Sequence, residues 1–142
     1  MGNAQSLAKV TYEYVTDITT NNQRVLLVST LNRDKEKYGI LRTIPIDNEE
    51  IYINELINKR QYGVIIVLYG ENMYDTTVIT KYNQLKKIGF NSCYIYFGGL
   101  FEWFLLQDVY GSEMFPTKST PINGCLDFKP RGDEVTGRGY VN

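Results

Sequence analysis

Few side chains in this sequence could do chemistry. Glu71 and Asp75 set two carboxylates within one short polar segment, Gly70-Glu71-Asn72-Met73-Tyr74-Asp75, and the two thiols are Cys93 and Cys125. Carboxylates so placed could move protons or bind a cation, but either task needs a partner base or further ligands. The chain contains no histidine, which removes the usual general base and the commonest metal ligand at neutral pH. Asp75 directly precedes Thr76-Thr77, where a helix is expected to begin, and an aspartate there ordinarily accepts the free N–H groups of the first turn. Two cysteines are too few for a metal cage or a disulfide scaffold, so reduced thiols in a cytoplasmic setting are expected, with no metal and no cofactor.

The elements that must position these residues are read from hydrophobic periodicity. Val64 to Tyr69 is a continuous apolar run ending at the polar segment, and Arg24 to Ser29 and Cys93 to Phe97 are similar. Such runs predict strands buried on both faces. Val78, Ile79, Tyr82, Leu85 and Ile88 mark a helix closed by Lys86-Lys87 and Gly89, with cations in the last turn and a residue suited to a left-handed terminus. Leu100 to Tyr110 predicts a final, aromatic-rich helix. Leu31 to Tyr38 reads as a loop or weak helix, and Ile40 to Ile46 as an extended stretch that Pro45 ends near a sheet edge. Asp47 and Glu50 have the spacing of a capping pair for a helix whose inward face is Ile53, Leu56 and Ile57. Leu7, Val10, Tyr14 and Ile18 predict an amphipathic helix over residues 4 to 17. Strands alternating with helices at these lengths predict an α/β fold with a mainly parallel central sheet.

Composition bounds the function classes. A chain of 142 residues with 43% hydrophobic content is one domain's worth. Its net charge of −1 supplies no basic footprint for nucleic acid. No apolar run approaches the roughly 20 residues of a transmembrane helix, and no signal-peptide core opens the sequence.

Two segments carry the most specific pattern: the strand Val64–Tyr69 running into the Gly70 segment and a helix, and a later strand ending in Gly98-Gly99-Leu100-Phe101-Glu102-Trp103. Over about Val25 to Gly111 this resembles the rhodanese family, in which a strand ends in a cysteine cradled by a loop and the closing strand ends in Gly-Gly before an aromatic helix with a Trp. The resemblance implies a three-layer rhodanese-like domain over residues 23–111, with Gly98, Gly99 and Trp103 as its signature. It also implies a thiolate at the first loop position, held by backbone N–H groups and a helix N-terminus. This chain has Gly70 there, which has no side chain to react, and no Arg near the end of the loop. Glu71 and Asp75 would repel an incoming anion, and Asp75 itself is expected to occupy the old anion site.

The resemblance therefore implies a non-catalytic interaction or structural module. Its partner would be a protein contacting the surface of the degenerate loop, Gly70, Glu71, Asn72, Met73, Tyr74 and Asp75. Met73 and Tyr74 either form a contact patch or fill space once reserved for substrate. The rival reading is a divergent sulfurtransferase or phosphatase-like enzyme using Cys125 or an acidic residue. Residues 1–22 carry the N-terminal helix and the pattern Met1-Gly2-Asn3-Ala4-Gln5-Ser6, which matches an N-myristoylation site at Gly2. One myristoyl chain gives only roughly 10⁴ M⁻¹ of membrane association, so membrane contact through Gly2 would be weak unless an oligomer or larger assembly multiplies it. The abundance of Asn, Ile, Lys and Tyr suggests an AT-rich genome, and a virus-particle component is one variant of this reading. Residues 112–142, rich in Gly and Pro, predict an extended tail.

Overall fold

The computed structural model of the protein describes residues 7–21 and 24–132. Three short strands, β1 (Val25–Ser29), β2 (Ile65–Tyr69) and β3 (Cys93–Tyr96), form a parallel sheet in the order β1-β2-β3. The register sets Ser29 beside Tyr69 and Tyr69 beside Tyr96, so all three strands finish at one edge. The loops that follow them are gathered there, which is where open parallel sheets collect their ligands.

Strand alternation builds two cores. Leu27, Val67, Tyr69 and Tyr96 point to one face, where they meet Val15 and Ile18 of α1 (Tyr12–Asn21) and Leu100, Trp103 and Phe104 of α4 (Gly99–Tyr110). Val28, Ile66, Leu68, Cys93 and Ile95 point to the other, against Val78, Tyr82 and Leu85 of α3 (Thr77–Ile88) and half-buried Ile53, Leu56 and Ile57 of α2 (Ile46–Asn58). Both faces of the sheet are covered, as continuous apolar strands require. Gly89 closes α3 at φ +129°. Among the described residues no helix is long and apolar enough to cross a membrane.

Four expectations are corrected. The first helix begins at Tyr12, while residues 7–10 run extended beside β3: Val10 N–H donates to the Ile95 carbonyl (3.0 Å) and Ile95 N–H to that of Ala8 (2.9 Å). An exposed strand edge outcompetes helical periodicity there because it satisfies backbone groups of both segments. On the opposite edge, the Ile40–Ile46 stretch is only partly strand-like: Ile44 N–H donates to Leu27 (2.9 Å), and Ile46 already belongs to α2. The Asp47–Glu50 capping pair is not used. Pro45 occupies the cap position of α2, and Glu36 in the 3-10 helix Arg33–Tyr38 accepts the Ile46 N–H at 2.6 Å. Asp47 instead pairs with Arg33.

The fourth correction concerns residues 112–132, the described part of the expected tail. They pack on the domain, with Phe115 and Phe128 each 1% exposed. Trp103 Nε1 donates to the Pro116 carbonyl (3.2 Å), and buried Gln107 donates to that of Phe115 (2.7 Å). A second 3-10 helix, Gly124–Phe128, lies on α4 with Phe104 and Phe128 stacked at 5.6 Å. Burying two aromatic side chains, each with a large apolar area, holds a segment whose Gly and Pro content favours neither helix nor strand.

Candidate functional site

The loop after β2 is fixed by contacts from both ends of the sequence. Gly70 and Glu71 carbonyls accept the N–H groups of Leu100 (3.1 Å) and Phe101 (2.8 Å), so the start of α4 is bonded directly to the loop. Gly99 makes that approach feasible. Its φ is +63°, and a Cβ there would stand 2.6 Å from the Gly70 oxygen and 2.9 Å from the Asn72 nitrogen. Both demands are met only by glycine. Trp103, one turn on, is fully buried and stacks edge-on to Tyr96 and Phe115.

Thr76 holds the N-cap position of α3, and Asp75, one residue earlier, accepts one N–H of its first turn. Its Oδ1 accepts the Thr77 N–H (3.0 Å) and hydroxyl (2.6 Å), and its Oδ2 accepts the Glu71 N–H (3.0 Å). The carboxylate thus bridges the start of α3 back to the beginning of the loop. It lies directly against Gly70: a Cβ on residue 70 would be 2.9 Å from Asp75 Cγ, closer still to Oδ2, and 2.8 Å from Val78 Cγ2. The space into which a side chain at position 70 would extend is occupied by the carboxylate of residue 75.

Asn72 is buried at 5% exposure, so it does not belong to the surface patch that the sequence suggested. Its Oδ1 accepts the Tyr74 N–H (2.9 Å) and its Nδ2 donates to the Phe128 carbonyl (2.9 Å), tying the loop to the packed tail. Met73 and Tyr74 point outward, 60% and 37% exposed. They do not fill the interior of the site; Asp75 does. Glu71 pairs with Lys35 at 2.9 Å, a half-buried contact across the mouth.

Around this loop lies a polar cleft of about 490 Å³, walled by Thr30, Lys35, Glu71, Asp75 and Thr77 on the sheet side and by Asp127, Lys129 and Arg131 from the tail. Both cations and carboxylates line it. Lys35 is the residue that sequence reasoning missed; it lies in a charged stretch with no periodicity, and only the β1–β2 pairing brings it to Glu71. The tail's contribution was missed for the same reason. Cys125 is half-exposed and packs against the core shared by α1 and α4, while its neighbours Leu126 and Asp127 face the cleft. Cys93 is buried at the start of β3, away from the loop edge, and burial pushes its thiol up to about 11, with the Lys86 charge opposing. Tyr69 and Tyr96 are held well above the usual phenol range, first by burial. The Tyr96 hydroxyl donates to Glu102 at 2.6 Å. Among the described residues no cluster of His, Cys, Asp and Glu could hold a metal ion. Gly2 lies outside the described residues.

Solved structures with the same architecture include the BH2092 protein of Bacillus halodurans, with a TM-score of 0.54 and 15% identity over 68% of this chain and 70% of that one. The Alr3790 protein of Anabaena sp. aligns at 0.53 and 17% identity, over 80% of this chain and 84% of that one. The fold is rhodanese-like. The As-Sb reductase of Leishmania major aligns at 0.52 and 17% identity, over 75% of this chain and 81% of that one. No protein-family model and no curated protein matches the chain. Identity at this level carries the rhodanese-like architecture and not the chemistry. Within that architecture, the Gly70–Asp75 loop sits at the carboxyl end of the central strand, and the Gly98-Gly99 turn sits against it.

Proposed function

We propose that the protein is a non-catalytic rhodanese-like module that acts by binding another protein through the outer face of the Gly70–Asp75 loop. The observation that carries this reading is the Asp75 carboxylate lying against Gly70, bonded to the Glu71 and Thr77 N–H groups. A thiolate or oxyanion would need those same donors and that same space. A fixed carboxylate satisfies the donors and opposes any second anion. The loop is nevertheless held rigidly, by Asn72 and by the α4 backbone, and its two exposed side chains are a Met and a Tyr. Large side chains on a fixed backbone suit a contact surface, because little backbone freedom is lost when a partner docks.

Attachment of the module to a membrane face through an acylated Gly2, in a cell or in a virus particle, belongs to the same proposal and rests on the Met1–Ser6 pattern. Intact mass after co-expression with the acyltransferase should show Met1 lost and a fatty chain gained; an unmodified mass removes the anchor. The competing reading is an enzyme, a divergent sulfurtransferase, phosphatase or reductase, working through Cys125. It draws on the half-exposed thiol beside residues that wall the cleft. The loop reading is tested by affinity capture from native material with wild type and a Met73→Ala/Tyr74→Ala variant. Loss of a wild-type partner in the variant supports it, and an unchanged partner set detaches binding from the loop.

A further inference from the structure

α4 is apolar nearly all the way round. Apart from Gly99, Glu102, Gln107 and Asp108, every residue from Gly99 to Tyr110 is aliphatic or aromatic. A helix of this kind is ordinarily enclosed on every side. Here one side is enclosed, by the sheet and the tail, through Leu100, Trp103, Phe104 and Gln107. The opposite side carries Leu105 and Val109 at four-residue spacing, one above the other on the helix surface, in line with Phe101, which still packs against the core. Phe101 is half-buried, whereas Leu105 is 45% and Val109 66% exposed. Beyond the helix end Met114 is also exposed, at 54%. Single exposed apolar residues are ordinary, but a continuous stripe along a helix marks a contact surface.

The charges beside this stripe select its occupant. From Leu100 through Thr117 the sequence contains Glu102, Asp108 and Glu113 and no Lys or Arg. At 100° per residue, Glu102 and Asp108 fall on opposite flanks of the Leu105–Val109 line. Asp108 and Glu113 are exposed, and Glu102 is half-buried beside Tyr96. A second copy of the chain would bring the same acids to the junction from both sides, and like charges juxtaposed at an interface are costly. An anionic bilayer would be repelled for the same reason. A helix with an apolar face and lysine or arginine flanks matches both features at once.

We propose that the outer face of α4 is a docking surface for a basic amphipathic helix of a partner protein, with Leu105 and Val109 as the apolar centre and Asp108 and Glu113 as the acidic rim. This surface is distinct from the Met73–Tyr74 loop, so either can fail without the other.

The test uses the full chain and a labelled synthetic helix of about 18 residues, long enough to be helical on contact, built from leucine at helical spacing and lysine elsewhere. A counterpart carries glutamate in place of lysine. Fluorescence anisotropy should show the lysine peptide binding at least roughly tenfold more tightly than the glutamate peptide, and weakening as salt is raised through the range that screens surface charge. Leu105→Ser/Val109→Ser should lose at least roughly tenfold in affinity, since these are the desolvated centre of the contact. Both positions are exposed, so an unchanged circular dichroism melt is expected, and Val109→Ser alone serves if the pair perturbs folding. Asp108→Lys/Glu113→Lys should reverse the preference toward the glutamate peptide. The proposal is overturned by equal binding of the two peptides, by no binding of the lysine peptide, or by serine variants that bind as wild type does. It is overturned equally if sedimentation shows a dimer that the serine variants dissociate, or if the chain floats with mixed phosphatidylcholine–phosphatidylserine vesicles and the serine variants do not. Met73→Ala/Tyr74→Ala should leave peptide binding unchanged, which separates this surface from the loop.

Discussion

Replacing Gly70 by alanine probes the contact between residue 70 and the Asp75 carboxylate. Where a glycine has room for a methyl group and an ordinary φ, alanine typically stabilises by about 0.4–1 kcal/mol, because it restricts the unfolded chain. Gly70 has a φ outside the positive region, so this gain would be expected if its surroundings were open. They are not: the methyl group would stand 2.8 Å from Val78 Cγ2 and 2.9 Å from Asp75 Cγ. To make room, Asp75 must swing out and give up the Glu71 and Thr77 donors, and loss of such a cap costs about 0.5–2 kcal/mol. Crowding against Val78 remains, and overpacking by one methyl costs about 1–3 kcal/mol. The two terms together give a destabilisation of about 0.5–4.5 kcal/mol after the unfolded-state gain is set against them. Urea unfolding of Gly70→Ala, Asp75→Ala and the double variant measures this. In the Asp75→Ala background the alanine at 70 should cost about 1–2 kcal/mol less than in wild type, a coupling expected only of groups in contact. A Gly70→Ala variant as stable as wild type, or effects that add to within about 0.5 kcal/mol, would show that the Asp75 carboxylate does not occupy the space beside residue 70.

Other consequences follow from the same geometry. Gly99→Ala should destabilise more than Gly70→Ala in the same urea series, because its obstacles are the Gly70 oxygen and Asn72 nitrogen of the backbone and its φ of +63° adds strain. Phe128→Ala should cost about 3–5 kcal/mol, the range for a buried aromatic side chain; a change below about 1 kcal/mol would return the segment to an extended tail. With a disulfide reagent at mildly alkaline pH, the native protein should react quickly at Cys125 only, and at both cysteines once unfolded. Stability should also fall as pH rises through the window from 9.0, the ordinary value for a thiol, to about 11, the value for folded Cys93. The sign follows from proton binding: in that window the unfolded thiol ionises while the folded one keeps its proton, so alkali favours unfolding. Tyr69 and Tyr96, raised in the same direction, extend the loss to higher pH. A flat urea midpoint across this window would contradict the burial of all three groups.

The sheet was legible because its strands are uninterrupted apolar runs, and a parallel strand buried on both faces can hardly be anything else. α3 was legible from its period and from Lys86, Lys87 and Gly89, which act within one helix turn. Asp75 as an acceptor for the start of α3 was legible for the same local reason, though Thr76 holds the cap position itself. What stayed hidden depends on partners far along the chain. The edge pairing of residues 7–10 with Ile95, the capping of α2 by Glu36, and the Lys35–Glu71 contact have no sequence period, since each is created by the folding of other elements. Asn72 looked like one more polar loop residue, and only the Phe128 carbonyl shows that it faces inward. The tail did carry a signal: Phe115 and Phe128 are large apolar groups in a segment otherwise made of turn residues, and such groups seek burial.

We propose that Asp75 takes the place a reacting group would need, so that the module binds without turning over substrate. Thiocyanate release from thiosulfate and cyanide tests it most directly, with the full chain and a Cys125→Ser variant assayed together. Both should be indistinguishable from buffer. Protein-dependent thiocyanate that disappears in Cys125→Ser would contradict it and establish Cys125 as a nucleophile.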